Sequence, residues 1–381
     1  MRPRYVIVAL ALIGATVSWP ACAKSPLYIQ ECNNNGGQFS PVEQITGCTN
    51  VILLGRFRGE NLAQAYNNRG SAYANDGAYD RAIKDFNRAI AANPKYVAAF
   101  NNRGLTYRRK GEYDRAIRDF TQAIKLDSKD AFAFNNRGLA YASKGQNDRA
   151  IHDYNQAIGL QPNFAFAFNN RGLAYANNGQ YDRAIQDYTQ AINLDPKGAV
   201  VFNNRGLANA SKGQYDHAIQ DYTQAIKLNP NFAYAFQGRG RVNFYLRRMP
   251  QALADFNQAI ELAPTDAYTA LWRDIVSRHS KVPSRLDQEA SQINMKTWPA
   301  PIIRLYLDQI TPAAVLAAAN DPNAKTKRGH VCEANFYTGE LALTQDARDK
   351  AKRLLRLATS GCPKTFVEYT AAAAELKRLV H

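Results

Sequence analysis

Apolar residues recur between residues 63 and 266 as pairs of amphipathic stretches. In the stretch 97 to 130, VAAFNNRGLTYRRKGEYDRAIRDFTQAIKLDSKD, the positions Phe100, Tyr107, Ala116, Phe120, Ala123 and Ile124 fall at helical spacing on two segments. Gly111 separates the segments, and Asp114 is placed to cap the second helix. In the other copies a proline follows the second helix: Pro94, Pro162, Pro196, Pro230 and Pro264. Proline cannot continue a helix, so it resets the chain for the next unit. The spacing is 34 residues throughout, giving six units: 63–96, 97–130, 131–164, 165–198, 199–232 and 233–266. A fixed period of this size predicts a stacked helical array, in which each unit buries its apolar face against its neighbours.

One short motif marks every unit. Asn67-Asn68-Arg69-Gly70 returns at Asn101 to Gly104, Asn135 to Gly138, Asn169 to Gly172 and Asn203 to Gly206, then in altered form as Gln237-Gly238-Arg239-Gly240. With position 1 at the start of each unit, position 4 is aromatic (Tyr66, Phe100, Phe134, Phe168, Phe202, Phe236) and position 8 is Gly in all six. Position 20 is Ala82, Ala116, Ala150, Ala184, Ala218 and Ala252. This pattern resembles the tetratricopeptide repeat over 204 residues. The resemblance implies an all-α solenoid, a right-handed superhelix of helix hairpins with helical capping regions at both ends. One departure is regular. Position 7 is Arg69, Arg103, Arg137, Arg171, Arg205 and Arg239, and sixteen residues on stands Asp85, Asp119, Asp153, Asp187, Asp221 and Asp255. A partly buried Arg needs an anionic partner, so each pair is expected to join the two helices of its hairpin.

The flanks read as helical caps. In 24–62, Ser40-Pro41-Val42-Glu43 is a helix start with a capping box, and the helix runs to about Leu54 before Gly55. Cys48 lies in it and Cys32 in the preceding loop, so a Cys32–Cys48 bridge would pin this N-terminal region. Closing a loop of that size stabilises by about 3 kcal/mol in the chain-entropy model. Residues 267–329 read as a capping helix (267 to 281) and a connector with short helices at Ile302 to Gln309 and Pro312 to Ala319, the second capped by Thr311. In 330–381 the repeat returns faintly. Laid on Phe336 and Gly339, it puts Ala351, Leu355, Ala358 and Pro363 at positions 20, 24, 27 and 32. Cys332 and Cys362 then open and close a degenerate hairpin, and a last helix, about Phe366 to Leu379, would cover the end of the stack. On this arithmetic two local bridges, Cys32–Cys48 and Cys332–Cys362, are favoured among the three connectivities four cysteines allow.

The tail is also similar to the NlpI-type tetratricopeptide repeat lipoproteins of bacterial envelopes. Trp298, Leu305-Tyr306-Leu307, Ile310-Thr311, Glu333 to Gly339 and Phe366-Val367-Glu368 carry that resemblance. It implies an adaptor that brings envelope hydrolases to a processing protease. The N-terminus reads as a signal peptide over 1–23: Arg2 and Arg4, an apolar run from Val6 to Val17, then Ala21-Cys22-Ala23. The alternative, lipid attachment at Cys22, meets a poor lipobox, with Trp19 and Pro20 before the cysteine. Export predicts a periplasmic location and an oxidising compartment. The formal charge of +16 falls to +14 without Arg2 and Arg4. The basic residues are scattered over helix faces, so they imply non-specific attraction to anionic polymer rather than a nucleic-acid site.

Catalytic chemistry is not legible. The histidines (His152, His217, His279, His330, His381) show no metal-ligand spacing, and neither HExxH, GxSxG nor a Walker loop occurs. No enzyme, cofactor or metal site is expected. What the tetratricopeptide resemblance implies instead is a peptide groove lined by the first helices. Its candidates are Asn67, Asn101, Asn135, Asn169 and Asn203 at position 5, whose amides can hold a peptide backbone. Phe132, Phe166 and Tyr234 at position 2 could take apolar side chains or pack against neighbouring repeats, and Arg108 and Arg109 could meet an acidic group. The second Asn of each motif is expected to be scaffold. Partners are therefore protein segments, plausibly envelope hydrolases or proteases. A homodimer is also admissible, and the runner-up is a structural protein held to anionic wall polymer.

Overall fold

The computed structural model describes residues 26–34 and 36–380, so the signal segment and Cys22 lie outside the described residues. Those residues are helical, with no strand among them. None of the described helices is long and apolar enough to cross a membrane. The chain falls into two compact units that divide between Ala174 and Tyr175.

The first unit opens with α1 (Leu27–Asn33) and α2 (Pro41–Leu53). Ser40 caps α2 as expected: its hydroxyl accepts from the Glu43 amide, and the Glu43 carboxylate accepts from the Ser40 amide. Three hairpins follow: α3 (Gly59–Asn75) with α4 (Tyr79–Ala92), α5 (Val97–Arg109) with α6 (Tyr113–Leu126), and α7 (Ala131–Ser143) with α8 (Asn147–Leu160). The next helix, α9 (Ala165–Asn177), spans the division. Each hairpin turns at a glycine in the left-handed region, such as Gly111 at φ +78°. Asp114 does not cap α6 as expected. Glu112 occupies the N-cap without a side-chain bond, and the Asp114 carboxylate pairs outward with Lys144 of the next repeat at 2.5 Å.

The Arg–Asp pairs form. Arg69, Arg103 and Arg137 each grip Asp85, Asp119 and Asp153 with two N–H donors at 2.7 to 2.9 Å. The remaining Nη1 reaches back to the preceding helix: Arg69 to Thr49, Arg103 to Asn87, Arg137 to Thr121 and Arg171 to Asn155. One guanidinium thus closes its own hairpin and clips it to the unit before. Each also lies over the aromatic ring at position 4, as Arg137 does over Phe134 at 5.5 Å.

The second unit comprises α10 (Tyr181–Leu194), the hairpins α11 (Ala199–Ser211) with α12 (Tyr215–Leu228) and α13 (Ala233–Tyr245) with α14 (Met249–Leu262), and then a non-repetitive end. That end holds α15 (Ala267–His279), α16 (Leu286–Ala290), α17 (Ala300–Tyr306), α18 (Pro312–Ala318), α19 (Ala324–Thr344), α20 (Arg348–Gly361) and α21 (Val367–Val380). Arg205 and Arg239 repeat the grip on Asp221 and Asp255, with Thr189 and Thr223 as the backward contacts. Arg273 of α15 extends the ladder by one step, bonding Asn257 at 2.8 Å. In repeat 6, Arg247 takes the turn position held by glycine elsewhere, at φ +58°. Asp346 does the same in the degenerate hairpin, at φ +57°.

Three expectations for the tail change. The connector contains an additional short helix, α16. The first helix of the degenerate hairpin begins at Ala324, not near residue 332, because Asn323 caps it by accepting from the amides of Lys325 and Thr326. The last helix, α21, packs on the degenerate hairpin at the end of the stack, chiefly on α20, but its reach is wider. It lies against the first helices of repeats 5 and 6 as well as α19 and α20.

The residues that carry the NlpI-type resemblance are mostly packed into this end. Glu333, 3% exposed, accepts from the Tyr268 hydroxyl at 2.7 Å and from the Trp298 indole N–H at 2.6 Å. The Tyr306 hydroxyl donates to the Tyr337 carbonyl at 2.8 Å. Nearby, Glu340 is fully buried and 3.1 Å from the His279 ring. Burial, then the adjacent Glu375, holds its carboxyl well above the usual range, while burial pushes His279 down to about 4. A carboxyl with a raised folded-state pKa contributes most at low pH and loses that contribution as pH rises. Glu340→Gln should therefore match the parent near pH 4.5 and unfold at a higher temperature than the parent at pH 8, the gap widening with pH. Thermal melts across that range check the sign.

Candidate functional site

The first helices of successive repeats touch one another, α3 with α5, α5 with α7, and α11 with α13. In the first unit, a polar seam joins them. The Asn102 amide donates to Asn67 Oδ1 at 2.9 Å, and the Asn170 amide donates to Asn135 Oδ1 at 3.0 Å. The first Asn of one motif thus serves the second Asn of the next.

This changes the expected ladder. Asn67, Asn135 and Asn169 are 2%, 0% and 1% exposed. They lie in the seam between first helices, where Asn67 and Asn135 accept from the second Asn of the next motif. Asn101 and Asn203 remain partly exposed. Asn101 donates to Asp130 at 2.7 Å, a bond that Gln237 repeats with Asp266 at 3.3 Å. The second Asn is scaffold at the seam, where Asn102, Asn136, Asn170 and Asn204 are all buried.

The aromatic candidates are half-buried. Phe132 meets Phe164 edge-on at 4.8 Å, Phe166 meets the same ring at 6.5 Å, and Tyr234 meets Phe232 at 6.2 Å. Each packs against its partner ring and stays partly exposed. Arg109 is exposed at the end of α5, its Nη1 3.4 Å from the Ala74 carbonyl of the previous first helix. Arg108 is different. Burial, then the like charge of Arg109, holds it below the ordinary guanidinium value. Its Nε is buried with no hydrogen-bond partner, and no carboxylate among the described residues pairs with it.

In the second unit the corresponding surface is occupied by α21. Leu207, Ala210 and Ser211 of repeat 5 and Gly238, Arg241, Val242 and Tyr245 of repeat 6 face Val367 and Thr370. Arg378 donates to the Tyr245 carbonyl, and Arg247 pairs with Glu375 at 2.9 Å. The Tyr181 hydroxyl donates to the Lys364 carbonyl at 3.3 Å. This cover was missed because α21 reads in sequence as a plain amphipathic end. The signal was its central run of small residues, with Ala371 and Ala372 both fully buried. Among the described residues no group of three or more His, Cys, Asp or Glu could hold a metal ion. The cysteines come together as two close pairs, Cys32 with Cys48 and Cys332 with Cys362.

Sequence models of the tetratricopeptide repeat match residues 63–96, 165–197 and 199–232, and a further one matches 86–118. A model described as a TPR repeat matches 104–145 and 138–179. Residues 63–232 carry a tetratricopeptide repeat array. The sixth TPR unit lies beyond these matched stretches, yet α13 and α14 keep the same pairing. No curated protein sequence matches this chain. Among solved structures, a tetratricopeptide repeat protein from Parabacteroides merdae is similar with a TM-score of 0.52 at 20% identity, over 65% of this chain and 98% of that one. A chain of the APC/C hetero-tetramer Cut9–Hcn1 gives 0.52 at 17% identity, over 74% and 55%. YrrB, described as a TPR protein with an unusual peptide-binding site, gives 0.42 at 23% identity, over 52% and 98%. These are likenesses of fold. TPR arrays serve protein–protein interaction, and that coarse role is the one the repeats support here.

Proposed function

We propose that the protein is a non-enzymatic adaptor of a bacterial cell envelope, holding extended peptide segments of partner proteins along the first helices of its TPR units. The observation that carries this reading is the surface of α5 and α7. There Asn101 and Phe132 are partly exposed and Arg109 is exposed, and Arg108 lacks an anionic partner of the kind Arg103 and Arg137 possess. The envelope assignment is supported by the signal-like N-terminus and by four cysteines placed as two close pairs, which would be oxidised in an exported chain. The tail's similarity to NlpI-type proteins makes envelope hydrolases and proteases the first partners to try.

A second reading has its own observation. The outward face of α20 carries Arg348, Lys350, Arg353 and Arg356, all exposed, with Asp349 the one acidic residue of the helix. Such a face would hold anionic wall polymer. A pull-down from envelope extract at moderate salt separates the two. The adaptor reading expects defined protein partners that are lost from an Asn101→Ala, Arg109→Ala double variant with an unchanged helical spectrum. Retention only by purified wall material, abolished by salt, would support the second reading instead.

A further inference from the structure

The two units treat a surface arginine differently. In repeat 6, Arg241 lies within electrostatic reach of the buried Tyr222 and Tyr245. The helix lying on that surface, α21, brings Glu368 into the same field. Glu368 is fully buried; burial pushes its carboxyl up, and Arg241 is among the charges that pull it back. Thus α21 brings a carboxyl into the field of this arginine, while that carboxyl itself accepts from the Tyr337 hydroxyl of α19 at 3.5 Å.

Arg108 of repeat 2, at position 12 of its unit where Arg241 stands at position 9, also has tyrosines in its field. The hydroxyls of Tyr154 and Tyr113 lie within its reach, and Tyr154, at the position of Tyr222 in its own repeat, is 1% exposed. No carboxylate answers it: the Nε donor is buried and unpartnered, and the adjacent Arg109 is repulsive. A guanidinium nitrogen withdrawn from water without an acceptor costs stability. We propose that Arg108 is the anchor for an Asp or Glu side chain of a partner's peptide segment lying over α5 and α7. The partner segment is therefore acidic at one fixed position, and its remaining contacts are to Asn101, Arg109 and Phe132. This specifies the ligand of the peptide-groove reading and rests on it.

Two measurements on the full chain test it. First, Arg108→Met keeps the aliphatic stem and removes the uncompensated charge, so its thermal midpoint should equal or exceed the parent's. A midpoint several degrees lower would make Arg108 part of the scaffold and overturn the proposal. Second, a random-peptide display library is selected on the parent and its binders are re-measured on Arg108→Met. The binders should share one acidic position. Its change to the amide should cost about tenfold or more on the parent, as loss of one member of a desolvated charge pair does, and nothing further on the variant. Binders that displace from an Arg109→Glu variant yet show no acidic requirement would sink the anchor and leave the groove standing. An absence of binders sensitive to either arginine would overturn both.

Discussion

Asp153→Ala should destabilise the first unit by about 3–5 kcal/mol, the cost of breaking a buried pair by removing one partner. The Asp153 side chain is 2% exposed and takes two N–H donors from Arg137, both at 2.8 Å. Without it, a guanidinium 16% exposed is left with the Thr121 hydroxyl, at 3.2 Å, as acceptor. Because each repeat contacts only its neighbours, the loss should be local. Amide exchange in α7 and α8 should accelerate before that in α3 and α4. Replacing both residues, as Arg137→Met with Asp153→Leu, should recover most of the loss, since an apolar pair of similar volume has no charge to strand. A single variant that unfolds with the parent would show that the seam arginines are solvated and that the Asp is dispensable.

Phe120→Ala should cost a comparable amount, about 3–5 kcal/mol, through lost transfer energy and the cavity left behind. Phe120 is fully buried at position 24 of repeat 2, where its ring fills the space left by Gly104. A Cβ at Gly104 would stand 2.8 Å from the ring, so the pair is matched: large on the second helix, none on the first. Gly104→Ala alone should therefore destabilise as well, and Phe120→Leu should relieve part of that strain. Chemical unfolding of the three variants and their combination checks the coupling. If the glycine variant is neutral, the helices are farther apart than the structure has them.

These two predictions rest on what the sequence displayed most openly. A residue type recurring every 34 positions reports a contact made in every repeat, so the glycine, the position-4 aromatic and the Arg–Asp pair were legible. The backward contact of the same arginine was equally periodic, as Asn87, Thr121, Asn155, Thr189, Thr223 and Asn257, but Asn and Thr on a helix face read as solvated polar residues. Arg273 was a further missed signal, standing 34 residues after Arg239 in a helix taken as a mere cap. Asp114 misled because acidic residues favour both the N-cap and the first turn, and local preference cannot choose between them. The Asn ladder was harder. A position that faces a groove by periodicity can still be enclosed when neighbouring helices are close, and the distance between first helices is a tertiary quantity. The position of α21 has the same cause: its amphipathic pattern says that it is covered, not by what.

The most direct test of the adaptor account places a photo-crosslinking residue at position 109, on the first-helix surface, and separately at position 118, exposed on the second helix α6. Both variants of the full chain are irradiated in envelope extract. The account predicts a defined protein adduct from position 109 that is absent from position 118 and disappears when Asn101→Ala is added. Equal adducts from both positions, or none from position 109, would contradict it.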